Sequence, residues 1–124
     1  MKTLPNGLTI FNATPHAIRF WDPSWLEPIE VEPDEVINAA PVERPGDSPP
    51  KARKLAEFVR TVFVGSPKGR EVLSHARLWA DVVVGSIIAA QAYPGEVVAM
   101  VPCEGYERVP PDQKRMRPDK FTVY

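Results

Sequence analysis

Apolar and polar positions alternate over Leu8-Thr9-Ile10-Phe11-Asn12 and again over Ala17-Ile18-Arg19-Phe20-Trp21, with β-branched and aromatic residues in both runs. A period of two sends successive side chains to opposite faces, so both runs are predicted strands. Thr14-Pro15-His16 separates them. The pair is expected to form a hairpin or one long bent strand, with Pro15 at an edge or turn because it brings no amide to a ladder. Ile29–Val31 is a third, short candidate within a stretch that mixes proline (Pro23, Pro28, Pro33) with acid (Glu27, Glu30, Glu32, Asp34, Glu35).

Phe58–Val64 is the strongest strand pattern in the chain and stops at Gly65. Ser66-Pro67 then opens a helix, Ser66 as N-cap and Pro67 at the first helical position. That helix is expected to run to about Trp79 and to bury Val72, Leu73, Ala76 and Trp79 at helical spacing. Val82–Val84 reads as a short buried strand, Gly85–Tyr93 as a short alanine-rich helix stopped by Pro94-Gly95, and Val97–Val101 as another strand. Phe121–Tyr124 supplies a last strand, and Lys51–Glu57 a short helix with Leu55 and Ala56 inward. Two segments lack periodicity. The Pro-rich stretch 41–50 is expected to be a loop, and the polar, basic stretch 103–120 to be irregular. The expected fold is α+β: a small, mostly antiparallel β-sheet with two or three short helices packed on it, in a single domain over residues 1–124.

Composition narrows the setting. A chain of 124 residues with 44% hydrophobic residues supports one modest core and no second one. One cysteine, Cys103, excludes an intramolecular disulfide and a cysteine-based zinc site. Met1–Gly7 carries no apolar signal region, and the longest apolar run, Val82–Ala90, is far short of the ~20 residues that span a bilayer. A cytoplasmic protein with no membrane partner is expected.

Charge is unevenly placed on a chain whose formal net charge is −1. Residues 1–50 hold three basic and eight acidic residues, whereas residues 51–77 hold seven basic against Glu57 and Glu71. Five more cations lie between Arg108 and Lys120, against Asp112 and Asp119. Such clusters suit a small anion or phosphate ester, and equally a solvated helix face and a charged tail. Binding to DNA is not expected, since global charge supplies most non-specific affinity there and this chain has none to spare.

No catalytic constellation stands out. Gly85-Ser86 lacks the nucleophile elbow because Ile88 occupies the second glycine position, and the two histidines, His16 and His75, have no metal-ligand spacing. Neither a metal nor a cofactor is expected. Asn12-Ala13-Thr14-Pro15-His16 sets three hydrogen-bonding side chains around a turn, which suits local backbone satisfaction or a ligand contact at His16. Gly65–Arg70 joins a strand to a helix N-terminus, a place that attracts anions, yet without Walker or dinucleotide spacing. The segment Tyr106–Lys120 offers Arg108, Lys114, Arg115 and Arg117 as donors for phosphate, and Tyr106 or Phe121 as a stacking surface for a base. It reads either as such a site or as a solvated segment.

The run Leu8–Ile18, strand then Asn-x-Thr-Pro-His then strand, resembles the start of many small phage and prophage proteins, and Val83–Gly95 is similar to a second block that recurs in them. Together these blocks cover about a fifth of the chain. Proteins of this style include the Thoeris anti-defence family one sponges, small oligomers that sequester cyclic-ADP-ribose-type signals. The resemblance implies a homo-oligomer without catalytic activity that holds a small anionic, nucleotide-derived ligand such as a cyclic nucleotide. Arg115 and Arg117 would then grip phosphates, with Arg19 and Arg60 as secondary candidates. Two other readings stay open. One is a protein–protein adaptor or inhibitor of a host protein, anchored by Trp21, Trp25 and Leu26. The other is a nucleotide hydrolase.

Overall fold

In the computed structural model, which describes residues 1–52 and 54–124, strands dominate a small mixed α/β fold. In chain order they are β1 (Lys2–Thr3), β2 (Thr9–Asn12), β3 (Ile18–Phe20), β4 (Ile29–Val31), β5 (Ala39–Pro45) and β6 (Val59–Gly65). Helix α1 (Pro67–Trp79) leads to β7 (Val82–Val84), α2 (Ile87–Ala92), β8 (Val97–Pro102), a single 3₁₀ turn (Pro111–Gln113) and β9 (Met116–Thr122). Seven strands form one sheet in the order β1-β2-β7-β8-β9-β3-β4, and β5 pairs only with β6.

The period-two pattern explains how this sheet is covered. Val83, Val97 and Ala99 point to one face, where they meet Val72, Leu73 and Ala76 of α1 and the alanines of α2. Ile10 and Val84 point to the other, where they meet Leu4, Ile18, Phe20 and Val31. The second face needs no helix because the sheet curls on itself into a barrel-like form. Lys2 Nζ on one edge strand donates to Glu30 O on the other at 2.6 Å, and Asn12 Nδ2 donates to Val31 O at 3.0 Å. The Met1 ammonium pairs with Asp34, whose other carboxylate oxygen accepts from Asn12 N at 2.8 Å.

Ser66 caps α1 as expected, its Oγ accepting from Gly69 N at 3.0 Å, and Ser86 caps α2 by accepting from Ala89 N at 3.1 Å. Tyr93, fully buried, ties these pieces together by accepting from Ser66 N at 2.8 Å. Only glycine leaves it room, since a Cβ at Gly65 would lie 2.7 Å from Tyr93 Cε1.

Several expectations are corrected. The strands at 9–12 and 18–20 form neither a hairpin nor one bent strand: β2 lies between β1 and β7, and β3 between β9 and β4. The turn between them closes on its own side chains, Asn12 Oδ1 accepting from Thr14 N and Thr14 Oγ1 and Asn12 Nδ2 donating to His16 O, which sends the chain to the far end of the sheet. The strands pair mostly antiparallel, as expected, although β2–β7, β7–β8 and β3–β9 run parallel. Two α-helices and one 3₁₀ turn are present among the described residues.

The expected loop at 41–50 begins as strand. Pro41 and Pro45 pair with Phe63 and Val59, two positions of equal parity, so both prolines turn their missing amide away from β6. The short helix at 51–57 is replaced by turns at its described residues, with Leu55 and Ala56 exposed; Arg53 lies outside the described residues. Trp79 is exposed instead of buried. The irregular segment 103–120 ends early, because β9 starts at Met116 and runs through Pro118 in the sheet between β8 and β3. Its pairing with β8 slips by three residues between Met100↔Phe121 and Pro102↔Met116, and that irregularity accommodates the proline.

Candidate functional site

The curled sheet gathers residues that lie some ninety positions apart. β3 carries Arg19, the turn before it carries His16, and the 3₁₀ turn leading into β9 brings Lys114 alongside. These three rim a cleft of about 410 Å³ whose floor is apolar, made by Ala17, Ile18, Met100, Pro111 and Met116. Ser86 also reaches this cleft, and its hydroxyl is engaged as the α2 cap.

Arg19 belongs to two clefts. Its Nη1 donates to Asp112 O and its Nε lies 3.9 Å from Glu30 Oε1, so backbone and carboxylate hold the guanidinium at the boundary. Beyond it opens a more polar cleft of about 450 Å³, lined by Arg19, Pro28, Tyr106, Asp112, Gln113 and Arg115. Arg115 is fixed there by aromatic rings. Its Cζ sits 4.8 Å from the Trp21 ring centre and 5.0 Å from that of Tyr106. A guanidinium over a ring is attracted by about 0.5–2 kcal/mol, so the two rings orient Arg115 before any ligand arrives.

A third cleft, about 400 Å³, lies against Trp21, Cys103, Arg117 and Asp119. Arg117 forks onto Asp119, Nε to Oδ1 and Nη2 to Oδ2, both at 3.0 Å. This hydrogen-bonded pairing holds the Asp119 carboxyl below its ordinary range and raises Arg117 further. Cys103 donates its thiol to Trp21 O at 3.2 Å, and burial pushes that thiol above its ordinary value, which keeps it protonated and a poor nucleophile.

The sequence candidates therefore divide. His16, Arg19 and Lys114 border the first cleft, Tyr106 and Arg115 the second, which shares Arg19 with it, and Arg117 the third. Arg108 is exposed on the same loop and lines none of the three clefts. Arg60 stands apart, on β6 directly opposite Arg44. The Gly65–Arg70 segment is occupied by the molecule itself: Tyr93 meets the Ser66 amide, and Arg70 turns to Glu96 at 2.5 Å, which Arg77 shares at 2.8 Å. Trp21 and Trp25 are half-buried, Trp21 Nε1 donating to Trp25 O at 3.1 Å, so of the three proposed anchors only Leu26 is fully exposed.

Reading by residue type overlooked the floor. Met100 and Met116 sit at opposite ends of the slipped β8–β9 pairing, and the one available signal was an apolar Met116 set between two arginines. Among the described residues, no group of three or more His, Cys, Asp or Glu could hold a metal ion, and no helix is long and apolar enough to cross a membrane. Compared with known proteins, the chain matches no family model, no curated protein and no solved structure.

Proposed function

We propose that the protein binds, without chemically altering it, a small anionic ligand with a flat or apolar body, of nucleotide-derived type, in the cleft between β3 and β9. The observation that carries this reading is the pairing of an apolar floor (Ile18, Met100, Met116) with a cationic rim of Arg19 and Lys114. A base or similar ring gains by leaving water for the floor, while the charged end stays at the rim where it meets fixed donors. Among the described residues Lys114 has no carboxylate partner within 4.0 Å, which leaves its three donors for a ligand. Arg115, ordered by Trp21 and Tyr106, offers a second, preoriented donor next to the shared Arg19. Arg117 contributes less than its sequence position implied, since Asp119 already takes both of its forks. The resemblance of Leu8–Ile18 to small phage proteins, some of which sequester signals, agrees with a role in sequestration.

The test is thermal denaturation against cyclic nucleotides, linear nucleotides and ADP-ribose derivatives, with each stabilising compound recovered and checked for change. A ligand at 100 times its Kd stabilises a protein by about 2.7 kcal/mol. The expected result is a clear upward shift with intact ligand, lost in Lys114→Ala and Arg19→Ala and retained in Arg60→Ala. Recovery of a converted product would replace sequestration by catalysis. A shift unaffected by Lys114→Ala and Arg19→Ala would place the ligand elsewhere.

A further inference from the structure

The ribbon made by β5 and β6 has two unlike edges. Gly46 N donates to Phe58 O at 3.1 Å, which fixes the parity of the ladder: residues 40, 42 and 44 exchange hydrogen bonds with 64, 62 and 60. Residues 41, 43 and 45 of β5, and 59, 61 and 63 of β6, therefore turn their amides and carbonyls outward. On β5 two of these three outward positions are prolines, Pro41 and Pro45, so that edge keeps a single outward donor, the amide of Glu43. On β6 the outward positions are Val59, Thr61 and Phe63, each with an amide, and among the described residues none of these amides has a backbone partner. Proteins blunt exposed edges with proline, and here one edge is blunted while the other stays open over a full seven-residue strand.

We infer that the open edge of β6 pairs antiparallel with β6 of a second copy of this chain, joining two ribbons into a four-stranded sheet about a two-fold axis at Thr61. The occupant is a second copy because the edge is complementary to itself. With the axis at Thr61, Thr61 faces its own symmetry mate and Val59 faces Phe63, hydroxyl with hydroxyl and β-branched with aromatic, both favourable cross-strand pairs. Arg60 then faces Val62 and no like charges stand opposite one another; an axis one residue earlier would set Arg60 against Arg60. The two protein bodies fall at opposite ends of the new sheet, because β6 meets its own body at its Gly65 end, where Phe63 packs against the core and Ser66 leads into α1. This pairing lies on the ribbon and uses no residue of the β3–β9 cleft, so it stands or falls independently of the ligand reading.

Sedimentation equilibrium of the full chain, over a range of concentrations, tests it. Wild type is expected at twice the chain mass. Thr61→Pro, at an outward position whose amide the ribbon itself does not use, is expected to be monomeric, whereas Glu43→Pro, its counterpart on the blunted edge, stays dimeric. Thr61→Lys is expected to be monomeric through repulsion across the axis, and an equimolar mixture of Thr61→Lys with Thr61→Glu to recover the dimer. Circular dichroism confirms that each variant is folded. A wild type that stays monomeric at every concentration overturns the inference, and so does a dimer that survives both Thr61→Pro and Thr61→Lys.

Discussion

The ribbon and the main sheet show opposite ways of building β-structure. β5 and β6 pair seven residues in unbroken register, while β3 meets β4 over three residues and β9 through one. Yet no residue of the ribbon is fully buried, whereas Ile10, Phe20, Val84 and Val97 of the main sheet have no exposed surface. Length of ladder and strength of structure part company here for a physical reason. A backbone hydrogen bond formed in place of one to water contributes only about 1 kcal/mol net, while a large apolar side chain taken out of water contributes about 1.5–3 kcal/mol. The ribbon is a regular ladder supported at its base by Phe63 and Ala39 against the helices. The sheet is irregular and holds because its interior is filled.

Substitutions turn this contrast into measurements. The largest loss is expected at Phe20→Ala, which empties the centre of the curled face; urea denaturation should show about 3–5 kcal/mol. A loss below about 1 kcal/mol would mean that the sheet does not close around Phe20. Next comes Asn12→Ala. Asn12 is fully buried and its side chain bonds Thr14, His16 O and Val31 O, so its removal strands buried carbonyls and should cost about 2–3 kcal/mol. Retention of wild-type stability there would show that water replaces the amide. Ser66→Ala, which removes the α1 cap, is expected to lower stability by about 1 kcal/mol in the same assay. Val62→Ala, half-exposed in the ribbon, should cost less than about 1 kcal/mol, and a larger value would make the ribbon part of the core.

The smallest effect concerns pH. Asp119 titrates below its ordinary value in the folded chain because Arg117 bonds the ionised carboxylate. A carboxyl with a depressed folded pKa adds stability above its unfolded pKa and loses it as pH falls through the folded one. The contribution is therefore present at neutral pH and disappears below the ordinary carboxylate range. Both groups are exposed, so solvent screening keeps it small. Comparing Asp119→Asn with wild type by thermal denaturation at neutral and strongly acidic pH should show a difference only at neutral pH.

Much of the local structure was legible along the chain. Ser66-Pro67 set the start of α1, Val82–Val84 and Val97–Val101 their strands, and Gly85–Tyr93 the span that holds α2, because capping and a period of two or of 3.6 are properties of neighbouring residues. The site was legible in part. Its cations and Tyr106 stood out by type, but the apolar floor did not, because Ile18, Met100 and Met116 come from three separate strands.

What the sequence alone determined, then, is which segments are helix or strand wherever their own side chains carry the period. Tertiary structure decided the rest. It drew Arg117-Pro118-Asp119 into the sheet beside β8, where the slipped pairing makes room for the proline, although nothing in that polar triplet favours a strand. It also separated β2 from β3 and curled the sheet until Arg19 met the loop at Asp112. Such choices depend on which distant surfaces bury one another, and that free energy is shared among residues far apart in the chain rather than carried by any local pattern.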